Sequence, residues 1–328
     1  MDRIKIGIIG AGYIGGVHAG VLARDERVRL SGVYDVRAER AERLARSSDA
    51  EVAPSARELI ETSDAVYITT PNTEHTALAI AAALAGKHVF CEKPMATGLE
   101  DAQSVLSAAR GAGGAVFQVG HNRRFAPVYV KLKELVEEEG RPHSAHIKMN
   151  RGELINPEWV ADPRVTGGFL YETTIHMFDM MRFLFGEVSE LYAVGSTHEY
   201  PEVDDFSALI SFKSGMHATL ASSADASWLF PFERVEVFSH HATIVTREME
   251  SLIHSAGLEG THTTHPMHQL SKEEKWGYVQ EDRAFVDAIL TGSAASVTAM
   301  DGYRSVELVD ACYRSVQTGE RINLDGAV

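Results

Sequence analysis

The stretch Arg3 to Val21, RIKIGIIGAGYIGGVHAGV, leaves few folds open to this chain. Arg3 to Ile9 is a short β-branched run ending at Gly10, and Gly10-Ala11-Gly12-Tyr13-Ile14-Gly15 then opens a helical pattern. A strand, a tight glycine turn and a helix N-terminus in that order begin a dinucleotide-binding βαβ unit. Gly10 permits the turn, Gly12 lets a pyrophosphate approach the backbone, and Gly15 lets the helix pack closely on the strand. Phosphates rest there on free N–H groups at the positive end of a helix. Glycine turns also follow strands for structural reasons alone, so the motif takes its meaning from context. The next β-like run, Val28 to Tyr34, ends in Asp35, about 20 residues beyond Gly15, where a carboxylate bonds ribose hydroxyls. That carboxylate repels a 2′-phosphate and favours NAD, while Arg37 offsets part of the repulsion and keeps NADP use open.

The pattern beyond Asp35 alternates helix and strand. Helices are expected over 38–46, 74–86 and 99–111, and strands over 65–69, 88–92 and 115–120. Repeated βα units of this length imply a doubly wound parallel sheet with its ligand at the C-terminal strand ends. Three such ends carry polar groups: Thr69-Thr70-Pro71-Asn72, Glu92-Lys93-Pro94, and Gly120-His121-Asn122-Arg123-Arg124.

From about residue 123 the grammar changes. A helix over 128–139 and a strand over 145–151 precede a looser segment, Asn156-Pro157-Glu158-Trp159, then Thr166-Gly167-Gly168 and a helix over 172–185. Strands come in close succession at 191–197, 206–212, 216–222, 233–238 and 242–246, which implies a mostly antiparallel sheet. Helices over 278–290 and 301–317 close the chain. The expected division is 1–122, a Rossmann domain, and 123–328, an α/β domain with a large open sheet. A length of 328 residues gives each domain enough chain for a core.

The formal net charge of −15 opposes nucleic acid or an anionic membrane as partner. Cys91 and Cys312 are the only cysteines and form no CxxC pair, which suits a reducing compartment. The first strand begins too early to leave room for a leader, and no apolar run approaches the roughly 20 residues that span a bilayer. A cytoplasmic location is the expectation.

Two segments carry the chemistry. Glu172 and His176 lie four residues apart on an expected helix, on one face with Cβ atoms about 5 to 6 Å apart. A carboxylate so placed fixes the tautomer of an imidazole whose ordinary pKa of about 6.5 suits a base near neutrality. Lys93, at a strand end, can bond a substrate oxygen through its ammonium. To carry the proton itself, its pKa of about 10.4 must fall. A surface lysine and a helix-surface contact are the plain alternatives.

His262, His265 and His268 have a spacing that brings metal to mind, but their Thr-rich surroundings with Pro266 read as a loop at a substrate or a subunit contact, and no metal is expected. His240-His241 reads as a turn between strands. Trp159 either stacks on a sugar or fills an interface, and Asp179 reads as a structural partner.

These residues resemble the Gfo/Idh/MocA family, the relatives of glucose-fructose oxidoreductase and inositol dehydrogenase. The likeness covers nearly the whole chain: the glycine turn, Thr70-Pro71-Asn72 with His75, Gly86-Lys87-His88-Val89 leading into Glu92-Lys93-Pro94, Gly167-Gly168, His176 with Asp179, and Asp301-Gly302. It implies an NAD(P)-dependent oxidoreductase moving hydride between a sugar, polyol or inositol hydroxyl carbon and nicotinamide, with Lys93 and His176 as the acid/base pair and Glu172 beside them. It also implies a homodimer or homotetramer through the C-terminal sheet. The cofactor would meet Gly10, Gly12, Tyr13, Ile14 and Gly15, then Asp35 and Arg37, then Thr70, Pro71, Asn72 and His75, and finally Glu92, Lys93 and Asn122. Substrate would meet Lys93, Arg123, Trp159, Thr173 and His176. Members usually carry Asp four residues before the histidine with a Gly between; here Glu172, Thr173 and Thr174 reshape that pocket, so no particular substrate is assigned. An NAD-dependent glycoside hydrolase that oxidises its substrate transiently, and a non-catalytic NAD-binding regulator, remain open alternatives.

Overall fold

A computed structural model describes residues 3–151, 158–227, 232–260 and 262–324; Asn156 and Pro157 of the looser segment lie outside them. The chain forms two units, Met1–Asn122 with Tyr278–Val306, and Arg123–Gly277 with Glu307–Val328.

The first unit holds six parallel strands, β1 (Ile4–Ile9), β2 (Val28–Tyr34), β3 (Glu51–Val52), β4 (Ala65–Ile68), β5 (His88–Glu92) and β6 (Phe117–Gly120), in the order β3-β2-β1-β4-β5-β6. Between them run helices α1 (Tyr13–Leu22), α2 (Ala38–Ser47), α3 (Ala56–Thr62), α4 (His75–Leu84) and α5 (Leu99–Gly111). Strand β4, AVYI, is buried at every position, as a parallel strand covered on both faces must be. The order reverses between β1 and β4, which opens a crevice at their C-terminal ends. β3 and α3 escape the sequence reading: β3 is two exposed residues, and α3 is a short helix defined by its cap, Ser55, whose side chain accepts the Glu58 N–H.

Residues 278–306, expected in the second domain, belong to this first unit. Phe285 of the Tyr278–Thr291 helix packs edge-on against Tyr67 and Phe90, which stack with centroids 4.4 Å apart. A helical period says that a face is buried without saying against which sheet, so sequence pattern alone does not assign this segment.

The second unit is built on nine strands: β7 (Ser144–Asn150), β8 (Val188–Ser196), β9 (Asp205–Phe212), β10 (His217–Ser223), β11 (Glu233–Ser239), β12 (Ala242–Arg247), β13 (Ser251–Ala256), β14 (His262–Pro266) and β15 (Ile322–Asn323). Their order is β14-β13-β12-β11-β7-β10-β9-β8-β15, antiparallel throughout except for the β7–β10 pair. Along β9, Phe206, Ala208, Ile210 and Phe212 are buried while Ser207 and Leu209 are exposed, so one face is core and the other open. Helix α6 (Pro127–Glu138) packs on β12 and β13, and α7 (Pro163–Thr166) and α8 (Ile175–Phe185) come after it in the chain. The segment with His262 and His265, expected as a loop, is the edge strand β14. Pro266 is tolerated because it closes a strand with one free edge. Among the described residues no helix is long and apolar enough to cross a membrane.

Candidate active site

The glycine turn is shaped by contacts that a side chain would destroy. A Cβ on Gly15 would lie 2.1 Å from the Gly10 carbonyl oxygen, and Gly10, at φ +103°, would drive one into the Thr69 backbone at 2.6 Å. Thr69 closes the turn by donating its hydroxyl to Gly10 O at 2.7 Å. A Cβ on Gly12, by contrast, would meet nothing within 4 Å among the described residues. Gly12 is also the N-cap of α1 and provides no side-chain cap, and the first turn carries no acidic residue. An open approach to uncapped N–H groups is what a pyrophosphate requires, so these residues fit a dinucleotide. Tyr13 is exposed and Ile14 half-buried at the same helix start.

Asp35 directly follows β2 and turns its carboxylate toward the glycine turn. Oδ2 accepts the Ala11 N–H at 2.7 Å and Oδ1 the Arg37 N–H at 2.8 Å. Arg37 itself is exposed. At the end of β4, Thr70 has a buried hydroxyl with no hydrogen-bond partner among the described residues, while Pro71 is half-buried and Asn72 buried. Asn122, after β6, is buried as well.

Two residues expected at the cofactor are turned inward instead. His75 is 1% exposed, with Nδ1 2.7 Å from the Pro94 carbonyl and Nε2 2.9 Å from the Thr70 carbonyl. Burial lowers its pKa against the pull of those two oxygens. It therefore ties the ends of β4 and β5 together from beneath and has no surface left for a ligand. Glu92 faces inward too, with Oε1 3.0 Å from His18 Nε2 and Oε2 accepting the Lys93 N–H at 3.1 Å. Gly120, its partner across β6, makes this possible: a Cβ there would lie 3.0 Å from the Glu92 carboxyl carbon. Lys93 is half-buried at the end of β5, joined to Pro94 by a cis peptide bond.

In the second unit the residues around His176 begin at Gly168, whose φ of +118° and tight neighbours admit no side chain; a Cβ would meet Tyr313 Oη at 2.6 Å and Glu202 Oε2 at 2.7 Å. Those two groups cap the start of the next turn: Glu202 Oε1 accepts the Phe169 N–H at 2.8 Å, and Tyr313 Oη the Leu170 N–H at 3.2 Å. Residues Leu170–Thr174 then form a π-helical turn before α8. Glu172 lies in the wide turn and His176 one residue into α8, so the regular α-helical register expected for the pair is interrupted between them. Such turns concentrate at functional sites. Thr173 is fully buried with a hydroxyl that finds no partner among the described residues. Thr174 instead bonds Ser222 Oγ at 2.7 Å, and the Ser222 hydroxyl donates to Met149 O at 2.8 Å.

Asp179, one turn beyond His176, is a structural partner: both its oxygens accept from Arg124, at 2.6 and 2.7 Å. Arg123, expected at the substrate, is engaged within this unit. Its guanidinium is buried, donates to Glu233 at 2.9 Å and lies 4.6 Å from the Trp276 ring centroid. Trp159 sits half-buried in a 3₁₀ turn, Glu158–Ala161. His18 is the residue that sequence reading missed. Its signal was a polar side chain on the buried face of α1, in line with Gly15 and Leu22.

A parallel sheet in this order, with an open glycine turn at its switch point and an acid at the end of β2, defines a dinucleotide-binding enzyme domain with an α/β partner domain beside it in sequence. The chain belongs to the Gfo/Idh/MocA oxidoreductase family: residues 4–121 match its NAD-binding Rossmann domain and residues 133–324 its C-terminal α/β domain. That membership makes it an oxidoreductase-family protein with an NAD-binding Rossmann domain. Myo-inositol 2-dehydrogenase of Thermotoga maritima is 30% identical over 99% of this chain and 100% of its own length. Inositol 2-dehydrogenase of Rhizobium meliloti is 28% identical over 98% and 99%. Levoglucosan dehydrogenase, solved with NADH and levoglucosan, shares the fold with a TM-score of 0.91 at 23% identity, over 99% of this chain and 100% of that one.

Proposed function

We propose that this protein is a dehydrogenase that oxidises a ring hydroxyl of a sugar, polyol or inositol, with Lys93 and His176 handling the hydroxyl proton and Glu172 orienting His176. Gly10, Gly12, Gly15 and Asp35 would hold an NAD whose nicotinamide would supply the hydride acceptor. His176 receives the hydroxyl proton, and the Lys93 ammonium bonds the oxygen as charge develops on it. The observation that carries the reading is the support given to one lysine: its neighbours Glu92 and Pro94 are held from below by two buried histidines, His18 and His75. The relatives named for inositol support the substrate class. Thr173, whose hydroxyl has no partner among the described residues, and Trp159 are the substrate-side candidates in the second unit. Asp35 favours NAD over NADP.

The open face of the second unit's sheet exposes Tyr192, Val194 and Leu209, which supports self-association into a dimer or tetramer. Two buried cysteines without a disulfide are in keeping with a cytoplasmic location.

The test is nicotinamide absorbance with NAD and NADP in turn against inositols, aldoses, sugar acids and amino sugars. Reduction with one of them fixes substrate class and cofactor together. Silence across the panel, with NAD still bound tightly, overturns the proposal in favour of a hydrolase with transient oxidation or a regulator.

A further inference from the structure

Beneath the end of β5 lies a set of buried charges that the reaction does not use. His18, in α1, has no exposed surface and meets a carboxylate at each ring nitrogen: Nδ1 to Asp282 Oδ1 at 2.7 Å, and Nε2 to Glu92 Oε1 at 3.0 Å. The rings of Tyr67, Phe90 and Tyr278 surround the imidazole, with centroids at 5.2, 4.9 and 5.7 Å. His18, Glu92 and Glu281 place one donor atom each within 4.8 Å of one another. Both His18 nitrogens already point at carboxylate oxygens, so the positive charge in the cluster is the imidazolium itself. The second Glu92 oxygen accepts the Lys93 N–H. A continuous path of hydrogen bonds thus runs from Asp282 through His18 and Glu92 to the backbone of Lys93.

We propose that His18 is a positioning residue for Lys93: by joining Glu92 to Asp282 it fixes the carboxylate that holds the Lys93 backbone at the end of β5. The inference rests on the reading of Lys93 as an acid/base group. His18 itself touches no substrate. Without it Glu92 loses the donor that sets its rotamer, and the Lys93 N–H loses an oriented acceptor.

The test compares the wild type with Asp282→Asn, His18→Leu and His18→Gln. Asp282→Asn is the sharper probe, because it preserves shape and is bonded to His18 rather than to Lys93. Amide hydrogen exchange at Lys93 should speed up about ten-fold or more in Asp282→Asn and His18→Leu, the loss of an oriented charged acceptor. On the substrate that the panel identifies, kcat should fall by a similar factor, with KM and the NAD Kd within about two-fold. His18→Gln retains an N–H donor toward Glu92 and should recover part of both. The Asp282→Asn effect should vanish in the His18→Leu background, because the two act through one path.

Unchanged Lys93 exchange in Asp282→Asn overturns the proposal. Equal acceleration across β1 and α5 does so too, since that reports general loosening. Should His18→Leu not fold, Asp282→Asn decides; failure of both reports a purely structural clamp and overturns the positioning role. The two readings separate cleanly. Full turnover in Lys93→Met removes the acid/base reading and leaves the exchange result standing, while unchanged exchange beside an inactive Lys93→Met removes the positioning reading alone.

Discussion

Asp35 shapes the glycine turn with the same carboxylate that we propose sets ligand choice. Its two oxygens accept the Ala11 and Arg37 N–H groups, so it holds the glycine turn while keeping lone pairs free for ribose hydroxyls. Replacing Asp35 with Ala therefore removes charged acceptors from the turn and from the ligand. We expect the NAD Kd to rise about 10- to 100-fold, from roughly 1.5–3 kcal/mol of charged hydrogen bonding. NADP, relieved of repulsion, should lose less, and fluorescence titration with both nucleotides reads the difference. An unchanged NAD:NADP ratio would refute the role in cofactor choice. Lys93 makes the corresponding prediction for the chemistry. Lys93→Met keeps the length of the stem but removes the ammonium, and should lower kcat by about 10²- to 10⁴-fold with the NAD Kd nearly unchanged. Single-turnover absorbance checks it, and full activity would end the assignment.

At the scale of elements, α1, the end of β5 and the Tyr278–Thr291 helix are joined by one imidazole, and that junction makes stability depend on pH. Burial alone would lower the pKa of His18, but Asp282 and Glu92 overcome it and hold it well above its ordinary value. Burial and the nearby Glu92 charge push Asp282 upward. A histidine raised on folding contributes its full stability below its unfolded pKa of about 6.5, and that contribution is lost as pH rises through the raised value. Thermal melts should thus show the largest deficit of His18→Gln near pH 6, and a shrinking one on the alkaline side. A deficit that grows with pH would contradict the charge state assigned to His18. These elements also show what sequence reveals. β2, β5 and α5 were legible to the residue because runs such as HVFCE have one period and sharp ends. The glycine turn was legible because sterics leave it no substitute. His18 was not, because its partners lie 74 and 264 residues away. The π turn at Leu170–Thr174 was hidden because this stretch reads equally well in an α register, and the groups that cap its start, Glu202 and Tyr313, are again distant in sequence.

For the molecule as a whole, the order of the chain and the order of its units differ, since residues 278–306 return to the first unit. A fragment ending at residue 122 therefore carries the whole glycine turn yet lacks Asp282 and Phe285. It leaves His18 with one of its two carboxylate partners and strips the aromatic cover from Tyr67 and Phe90. Breaking such a buried pair costs about 3–5 kcal/mol, a large share of a domain's net stability. That fragment should lack a cooperative melt and bind NAD at least about ten-fold more weakly than the full chain, and a cooperative, NAD-binding fragment would refute the argument. The second unit makes the complementary prediction on its open sheet. Tyr192, Val194 and Leu209 stand exposed on the face opposite the core, in strands whose inward positions are filled. Apolar residues clustered on an open sheet are what a second copy of the sheet would cover. Leu209→Glu places a carboxylate in that cluster without touching the core, so the subunit should keep its melting profile while its assembly weakens by at least about ten-fold. Light scattering across a concentration series measures this directly. A wild type that stays monomeric throughout, or an assembly indifferent to Leu209→Glu, would rule out this face as the contact.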